Sequence, residues 1–196
     1  MRFPRIYLAS GSPRRRELLA QLAISFDVLA VTTDESVMAN ELPEDYVKRV
    51  TTNKVQAGWQ KMQEQQLTRK PILAADTAVV VGNEILGKPV DESMARSFMQ
   101  RLSGTTHQVI TAVTVLNGTA LQCRLQWNTV TFCQLTAAEI DWYIGTGEGN
   151  DKAGGYAVQG LAAQFIENIT GSYSGIMGLP LFETRQLLQG MESPNE

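Results

Sequence analysis

Two adjacent arginines follow a serine-containing turn near the start of the chain, and this arrangement suits a phosphate group. The segment Ser10-Gly11-Ser12-Pro13-Arg14-Arg15 comes directly after a short apolar run. Ser12 is typical of a helix N-cap and Pro13 of the first helical position, so a helix is expected to begin here. Its free N–H groups, with Ser10, Ser12, Arg14 and Arg15, would bind an anion. A capped helix with solvated arginines remains the alternative.

Carboxylates and lysines later in the chain could complete a phosphate site. Asp76 follows the apolar run Ile72–Ala75. It is predicted to stand at the carboxyl end of a buried strand, where α/β sheets bind ligands, or else to cap a loop. Glu35 follows another predicted strand and is either a metal ligand or an exposed acid. Lys54 lies on the apolar stripe of a predicted helix, so its ammonium must either reach solvent or meet a buried anion.

Three further residues have less specific surroundings. Lys88 lies between Gly87 and Pro89, in a turn that could equally be plain surface. Gln159 lies in a glycine-rich stretch, where its amide either fixes a loop or reads the donors and acceptors of a base. His107, the only histidine, is expected to anchor a strand through a backbone hydrogen bond rather than to catalyse.

Composition excludes several classes of function. The 196 residues have a net charge of −3 and 43% apolar content, which is ordinary for a globular protein and argues against nucleic-acid binding. One histidine and two cysteines without a CxxC pair exclude a multi-histidine or thiolate metal centre, so carboxylates would have to hold any metal, which favours Mg²⁺ or Mn²⁺. The apolar runs are too short to span a membrane, and the expected location is the cytoplasm.

The spacing of apolar residues, together with cap residues, glycines and prolines, predicts the helices and strands that must position these residues. Helices are expected at 14–22, 43–66, 91–102 and 136–144, and from Pro180 to a stop at Gly190. Strands are expected at 6–9, 26–31, 72–75, 78–81, 107–116, 120–134 and 164–169. Strands and helices alternate around a central hairpin at Asn117-Gly118, which indicates an α/β fold with a mixed sheet. Residues 1–190 are expected to form one domain, followed by a short tail at 191–196.

Taken in order, the motifs of the chain resemble those of the Maf family of nucleoside triphosphate pyrophosphatases, also described as septum formation inhibitors. The resemblance runs from about residue 6 to 190 and is carried by the following segments: Leu8-Ala9-Ser10-Gly11-Ser12-Pro13-Arg14-Arg15, Asp34-Glu35, Lys54, Ala75-Asp76-Thr77, Gly87-Lys88-Pro89, Leu102-Ser103-Gly104 with His107, Lys152-Ala153-Gly154, and Gly178-Leu179-Pro180. It implies an elongated mixed sheet flanked by helices, in two lobes with a cleft between them, as in the Maf and ITPase-like folds. It also implies a homodimer and a divalent metal.

The resemblance also implies the reaction and the role of each site residue. Nucleoside triphosphates would be hydrolysed to the monophosphate and pyrophosphate, with Glu35 and Asp76 holding the metal and Asp76 acting as general base. Lys54 and Lys88 would offset phosphate charge. Arg14, Thr77 and Gln159 match the subgroup that acts on dTTP and UTP, which suggests nucleotide pool cleaning or a part in cell division arrest. A nucleotide-binding regulator of septum formation, with incidental catalysis, is the alternative.

Overall fold

A single seven-stranded mixed sheet forms the centre of the protein. The structure is a computed structural model that describes residues 3–189 of the chain. The strands are β1 (Ile6–Leu8), β2 (Phe26–Val28), β3 (Ile72–Val81), β4 (Glu84–Leu86), β5 (Thr106–Asn117), β6 (Ala120–Phe132) and β7 (Ile166–Thr170). Their order is β2-β1-β3-β5-β6-β7, and β4 pairs with β3. β1 is parallel to β2 and β3, and the other pairs are antiparallel, so the predicted mixed sheet is confirmed.

Helices flank this sheet, and several of them begin at residues whose side chains cap them. They are α1 (Pro13–Gln21), α2 (Pro43–Glu64), α3 (Glu92–Leu102), α4 (Ala137–Gly145), α5 (Tyr173–Met177) and α6 (Leu181–Gln189), with short 3-10 segments at Ala153–Gly155 and Leu161–Phe165. Ser12 caps α1 and Asp91 caps α3. Thr136 and Glu139 form a capping box at the start of α4, as the spacing of a threonine and a glutamate three residues later indicates. The five-residue α5 was not expected, because so short a helix has no periodic pattern to detect.

Strand β3 crosses the sheet as one ten-residue strand, whereas the sequence predicts two short strands. Its ladder with β5 is unbroken from Ile72 to Val80, and Asp76 pairs with Ala112 in that ladder. The prediction that Asp76 stands at the end of a strand is therefore wrong. The reason is non-local, because pairing with β5 carries the backbone straight through a polar Asp-Thr pair.

The opposite edge of β3 explains why Asp76 is nevertheless accessible. On that edge β1 pairs with β3 only as far as Leu73, and β4 begins to pair at Val79. Among the described residues, no strand covers the stretch between these two points. A gap therefore opens in the sheet beside Asp76, where a parallel neighbour ends and an antiparallel neighbour has not yet begun.

Smaller differences concern element ends and burial. β2 ends three residues earlier than predicted. After β3 a turn at 82–83 leads into the short strand β4, which the sequence did not predict. Apolar spacing along α3 predicts a buried Met94, but its side chain is 37% exposed, since it lies beside the stripe of α3 that packs inward. Residues 164 and 165, predicted as strand, belong to a 3-10 segment. The predicted helix stop at Gly190 and the tail at 191–196 lie outside the described residues.

Two apolar clusters define the two lobes of the elongated sheet. One cluster joins β1, α1 and α6 to the first half of β3, through residues such as Leu8, Leu19 and Leu187. The other joins α3, α4 and β6 to the second half of β3, through residues such as Met99 and Phe132. Strands β3 and β5 run through both lobes. No helix in the described part of the chain is long and apolar enough to cross a membrane.

Candidate functional site

A cleft of about 750 Å³ opens at the gap in the edge of β3. Every site residue predicted from the sequence lines it: Ser10, Ser12, Arg14, Arg15, Glu35, Lys54, Asp76, Thr77, Lys88 and Gln159. Five basic and three acidic side chains line the cleft, although the whole chain carries a net charge of −3. The positive charge is therefore concentrated in one concave place, which favours an anionic ligand.

The turn before α1 fixes Arg15 beside the first turn of the helix. The Ser12 hydroxyl accepts from the Arg15 backbone N–H at 3.4 Å. Ser10 Oγ accepts from the Ser12 N–H at 3.2 Å and from Arg15 Nη1 at 3.3 Å. Arg15 Nε donates to the carbonyl of Gly178 at 2.9 Å. Burial lowers the pKa of Arg15, and the charge of Asp76 opposes that shift. A guanidinium stays charged even so, and here it is held in one orientation.

Lys54 lies between two carboxylates on the floor of the cleft. Its Nζ is 2.8 Å from Asp76 Oδ1 and 2.7 Å from Glu35 Oε1, and Arg15 Nη2 is 3.7 Å from the same Asp76 oxygen. The Lys54 side chain is only 8% exposed. The Lys54 ammonium therefore meets a buried anion, Asp76, instead of reaching solvent. Helix α2 can bring it there because Gly58 lets the helix approach Ile72 of β3 closely.

The loop that carries Glu35 is attached to α2 by two residues that sequence reasoning missed. The Tyr46 hydroxyl donates to the Glu35 carbonyl at 3.1 Å, and Arg49 Nη2 donates to the Ser36 carbonyl at 2.8 Å. Burial and the nearby charges of Asp76 and Glu35 raise the pKa of Tyr46, so its hydroxyl keeps the proton it donates. The available signal was spacing, because Tyr46 lies eight residues before Lys54 and therefore on the same face of α2.

The Glu35 carboxylate is stabilised in its charged form. Partial burial alone would raise its pKa. The hydrogen bond and charge of Lys54, with the charges of Lys88 and Arg15, outweigh that effect and lower the pKa. Glu35 is thus a charged oxygen donor at neutral pH, and its side chain is still 40% exposed toward the cleft.

Thr77 lies on the opposite face of β3 from Asp76. The hydrogen bonds around it determine where its hydroxyl hydrogen points. Thr111 Oγ1 donates its only hydrogen to the Gly175 carbonyl at 2.7 Å. The Thr77 hydroxyl, 2.9 Å from Thr111 Oγ1, must therefore be the donor in that contact. The oxygen of Thr77 consequently remains available as an acceptor in the cleft.

Lys88 and Gln159 reach the cleft from two loops that are joined by a backbone hydrogen bond. Both side chains belong to exposed residues, and the Gly154 N–H donates to the Gly87 carbonyl at 3.0 Å. Lys152 also lines the cleft, although sequence reasoning quoted it only as part of a motif. Its Nζ donates to the Glu148 carbonyl and to Asp151 Oδ1, both at 2.6 Å.

His107 is not among the described residues that line the cleft. Its Nε2 lies 2.7 Å from the Tyr156 hydroxyl, so the backbone partner expected from the sequence is wrong. Burial lowers its pKa to about 4, and the ring is therefore neutral at physiological pH. The structure fits the packing role rather than acid–base chemistry, since Phe132 and Tyr156 enclose the ring edge-on.

The acidic residues of the cleft suit a metal that brings most of its own ligands. No cluster of three or more acidic, histidine or cysteine side chains that could hold a metal occurs within residues 3–189. Of the three acidic side chains that line the cleft, Glu35 and Asp76 both contact Lys54, through Oε1 and Oδ1 respectively. Mg²⁺ is commonly bound by one or two carboxylates together with substrate phosphates and water. These two residues therefore fit a metal that arrives with a polyphosphate, and they do not make a closed protein site.

Known proteins resemble this chain along nearly its whole length. The profile of the family described as Maf-like protein matches residues 5–191. A dTTP/UTP pyrophosphatase of Pseudoalteromonas atlantica is 47% identical, over 97% of this chain and 99% of that protein. A protein with the same name from Anaeromyxobacter dehalogenans is 50% identical, over 95% of this chain and 93% of that protein.

Among solved structures, the Ham1 protein of Staphylococcus aureus is similar with a TM-score of 0.53. The match covers 96% of this chain and 100% of that chain at 10% sequence identity. At that identity the likeness concerns the fold alone, and it confirms the predicted α/β architecture.

Proposed function

The chain belongs to the family of Maf-like proteins, and we propose that it hydrolyses dTTP and UTP to the nucleoside monophosphate and pyrophosphate. The observation that carries the proposal is one cleft in which Lys54 and Arg15 lie beside Asp76 and which Gln159 also lines. A triphosphate and a base require these two kinds of surroundings at once. The names of the relatives support the same activity.

The phosphates would bind at the N-terminus of α1. The Arg14 N–H at the start of the helix, the hydroxyls of Ser10 and Ser12, and the guanidinium groups of Arg14 and Arg15 offer donors in one small region. Because Arg15 is already held by Ser10 and Gly178, little ordering is needed when the substrate arrives. Preorganised donors of this kind stabilise charge that develops on phosphoryl oxygens.

Asp76 is the proposed general base. Lys54 binds its Oδ1, so the second carboxylate oxygen would accept the proton from an attacking water. Attack at the α-phosphorus breaks the bond to the bridging oxygen and releases pyrophosphate. Lys54 and Lys88 would offset the charge on the α-phosphate and on the leaving group. Glu35 and Asp76 would hold Mg²⁺ or Mn²⁺, which would supply further charge stabilisation when bound.

Base selection is proposed to depend on Arg14, Thr77 and Gln159. Uracil and thymine present a carbonyl, an N3–H and a second carbonyl along one edge. The Gln159 amide can accept from N3–H and donate to a carbonyl, whereas Arg14 can only donate. Cytosine presents an amino group and an unprotonated N3 at the corresponding positions. The arrangement would therefore favour uracil and thymine over cytosine.

The proposal is tested by a panel of canonical and modified nucleoside triphosphates with Mg²⁺ or Mn²⁺ and identification of both products. We expect UMP with pyrophosphate from UTP, and dTMP with pyrophosphate from dTTP, faster than the products from CTP or purine nucleotides. Release of orthophosphate, or tight binding without turnover, would contradict it. Tight binding alone would favour a nucleotide-binding regulator instead. A homodimer remains an expectation from the family resemblance, and a cytoplasmic location remains an expectation from the short apolar runs of the sequence.

A further inference from the structure

The glycine-rich segment that carries Gln159 is folded tightly on itself. Gly149 lies so close to the opposite arm of the loop that a Cβ there would be 1.9 Å from the Gly155 carbonyl oxygen. Gly154, which precedes Gly155, has a φ of +70° and packs against Val79 of β3. The glycines of this segment therefore allow backbone contact, and they do not make the loop a flexible linker.

The Glu148 carboxylate is the polar centre of this loop. Its Oε1 accepts from the Leu161 N–H at 2.7 Å, and its Oε2 accepts from the Tyr143 hydroxyl at 3.0 Å and the Ala162 N–H at 3.4 Å. The carboxylate occupies the space beside Gly160, where a Cβ would be 2.1 Å from Oε1. The same residue's carbonyl accepts from Lys152 Nζ at 2.6 Å.

These contacts end at the residues that directly follow Gln159. Gly160 lies against the carboxylate and Leu161 donates to it, so the chain leaves Gln159 along a path that Glu148 determines. Glu148 itself is not among the described residues that line the cleft. Any effect of Glu148 on substrate choice would therefore act through the residues it holds.

We propose that Glu148, anchored by Tyr143, is a positioning residue that sets base selectivity by fixing the backbone on which Gln159 stands. The inference rests on the proposed role of Gln159 and deepens it. Gln159 is exposed and would sample many positions if its backbone moved. An amide discriminates between bases only when its donor and acceptor are held in register with one edge of the base.

The main variant is Glu148→Gln, which keeps the shape of the side chain but loses its charge. The matched control is Glu139→Gln, because Glu139 also accepts a backbone N–H, from Thr136 at 2.7 Å, but serves the cap of α4. Tyr143→Phe is a milder second variant that removes only the hydroxyl at Oε2. Each protein is assayed for kcat and KM with UTP and with CTP, alone and combined with Gln159→Ala.

We expect Glu148→Gln to lower the ratio of kcat/KM for UTP over CTP by about fivefold or more, since charge-assisted hydrogen bonds to two loop groups are weakened. Tyr143→Phe should shift the ratio in the same direction by less, and Glu139→Gln should leave it within about twofold. In the Gln159→Ala background, Glu148→Gln should change the ratio by less than about twofold, because the two residues act in one chain of contacts.

Hydrogen exchange of the Leu161 and Ala162 amides supplies a readout that needs no substrate. Exchange should be faster in Glu148→Gln and unchanged in Glu139→Gln. An unchanged UTP/CTP ratio, an equal change in the Gln159→Ala background, or unaltered exchange would overturn the positioning role. Failure of the wild type to form UMP and pyrophosphate would instead refute the proposed function, while the exchange result still decides whether Glu148 holds the loop.

Discussion

Replacement of Lys54 by methionine should destabilise the protein in a pH-dependent way. The Lys54 and Asp76 side chains are 8% and 9% exposed, with Nζ and Oδ1 2.8 Å apart. At that separation, and an effective dielectric constant of about 20, the Coulomb attraction is about 6 kcal/mol before the cost of desolvation. Removing one partner of a buried ion pair typically costs about 3–5 kcal/mol, because the other charge stays buried.

The ion pair between Lys54 and Glu35 contributes less to the stability lost in Lys54→Met, but it determines how that loss depends on pH. Glu35 is 40% exposed, so its pairing with Lys54 is screened and contributes at most about 1 kcal/mol. In the wild type its pKa lies below the ordinary value of 4.5. A lowered folded-state pKa stabilises the protein above the unfolded-state pKa, and that contribution disappears as the pH falls through the folded-state pKa. The difference in the free energy of unfolding between wild type and Lys54→Met should therefore have its full value at neutral pH. It should become smaller as the pH falls below about 4.5, the ordinary pKa of a glutamate.

Urea unfolding at about pH 7 and about pH 4 measures this difference. The control is Lys48→Met, since Lys48 lies on the same helix and pairs with Asp45 at 3.5 Å with both side chains exposed. That variant should lose about 0.5 kcal/mol or less. A Lys54→Met loss below about 1 kcal/mol at neutral pH, or one that does not shrink in acid, would refute the view that Lys54 compensates the charges of the buried Asp76 and the partly exposed Glu35.

Three further substitutions test separate parts of the cleft. Gln159→Glu should reduce kcat/KM for UTP about tenfold relative to CTP, because the amide donor to a base carbonyl is lost; steady-state assays that show an unchanged ratio would contradict this. Arg15→Lys should raise the KM for UTP about tenfold, since a lysine cannot keep the contact to Gly178 while it binds phosphate; an unaltered KM would count against the anchored guanidinium. Tyr46→Phe should raise the Mg²⁺ concentration for half-maximal rate about threefold by loosening the Glu35 loop, and a metal titration that matches wild type would argue against that attachment.

Helix starts could be predicted from the sequence because their signals are local. Ser12, Asp91 and Thr136 cap their helices within three or four residues of chain, so the pattern and the contact lie in the same short segment. The continuous strand β3 could not be predicted in this way. The residues that keep it extended through Asp76 belong to β5, more than thirty positions later.

The cleft was accessible to sequence reasoning only as a set of candidate residues. The position of Lys54 on an apolar stripe indicated that its ammonium must either reach solvent or meet an anion. The sequence could not show which, because the two carboxylates that contact it come from distant positions, 35 and 76. The supporting residues Tyr46 and Glu148 gave no chemical signal of their own, because they act on backbone groups that only the fold brings near. A resemblance of motifs named the candidates for the reacting residues, and the structure shows which contacts hold those candidates in place.

The most direct test of the account is the turnover of UTP by Asp76→Asn. The variant keeps the shape of the side chain and can still contact Lys54, but its amide cannot accept a proton from water. We expect a thermal unfolding profile typical of a folded protein and a kcat at least about 100-fold below wild type, in line with the contribution of a general base. A kcat near that of the wild type, with UMP and pyrophosphate still formed, would contradict the central claim that Asp76 activates the attacking water.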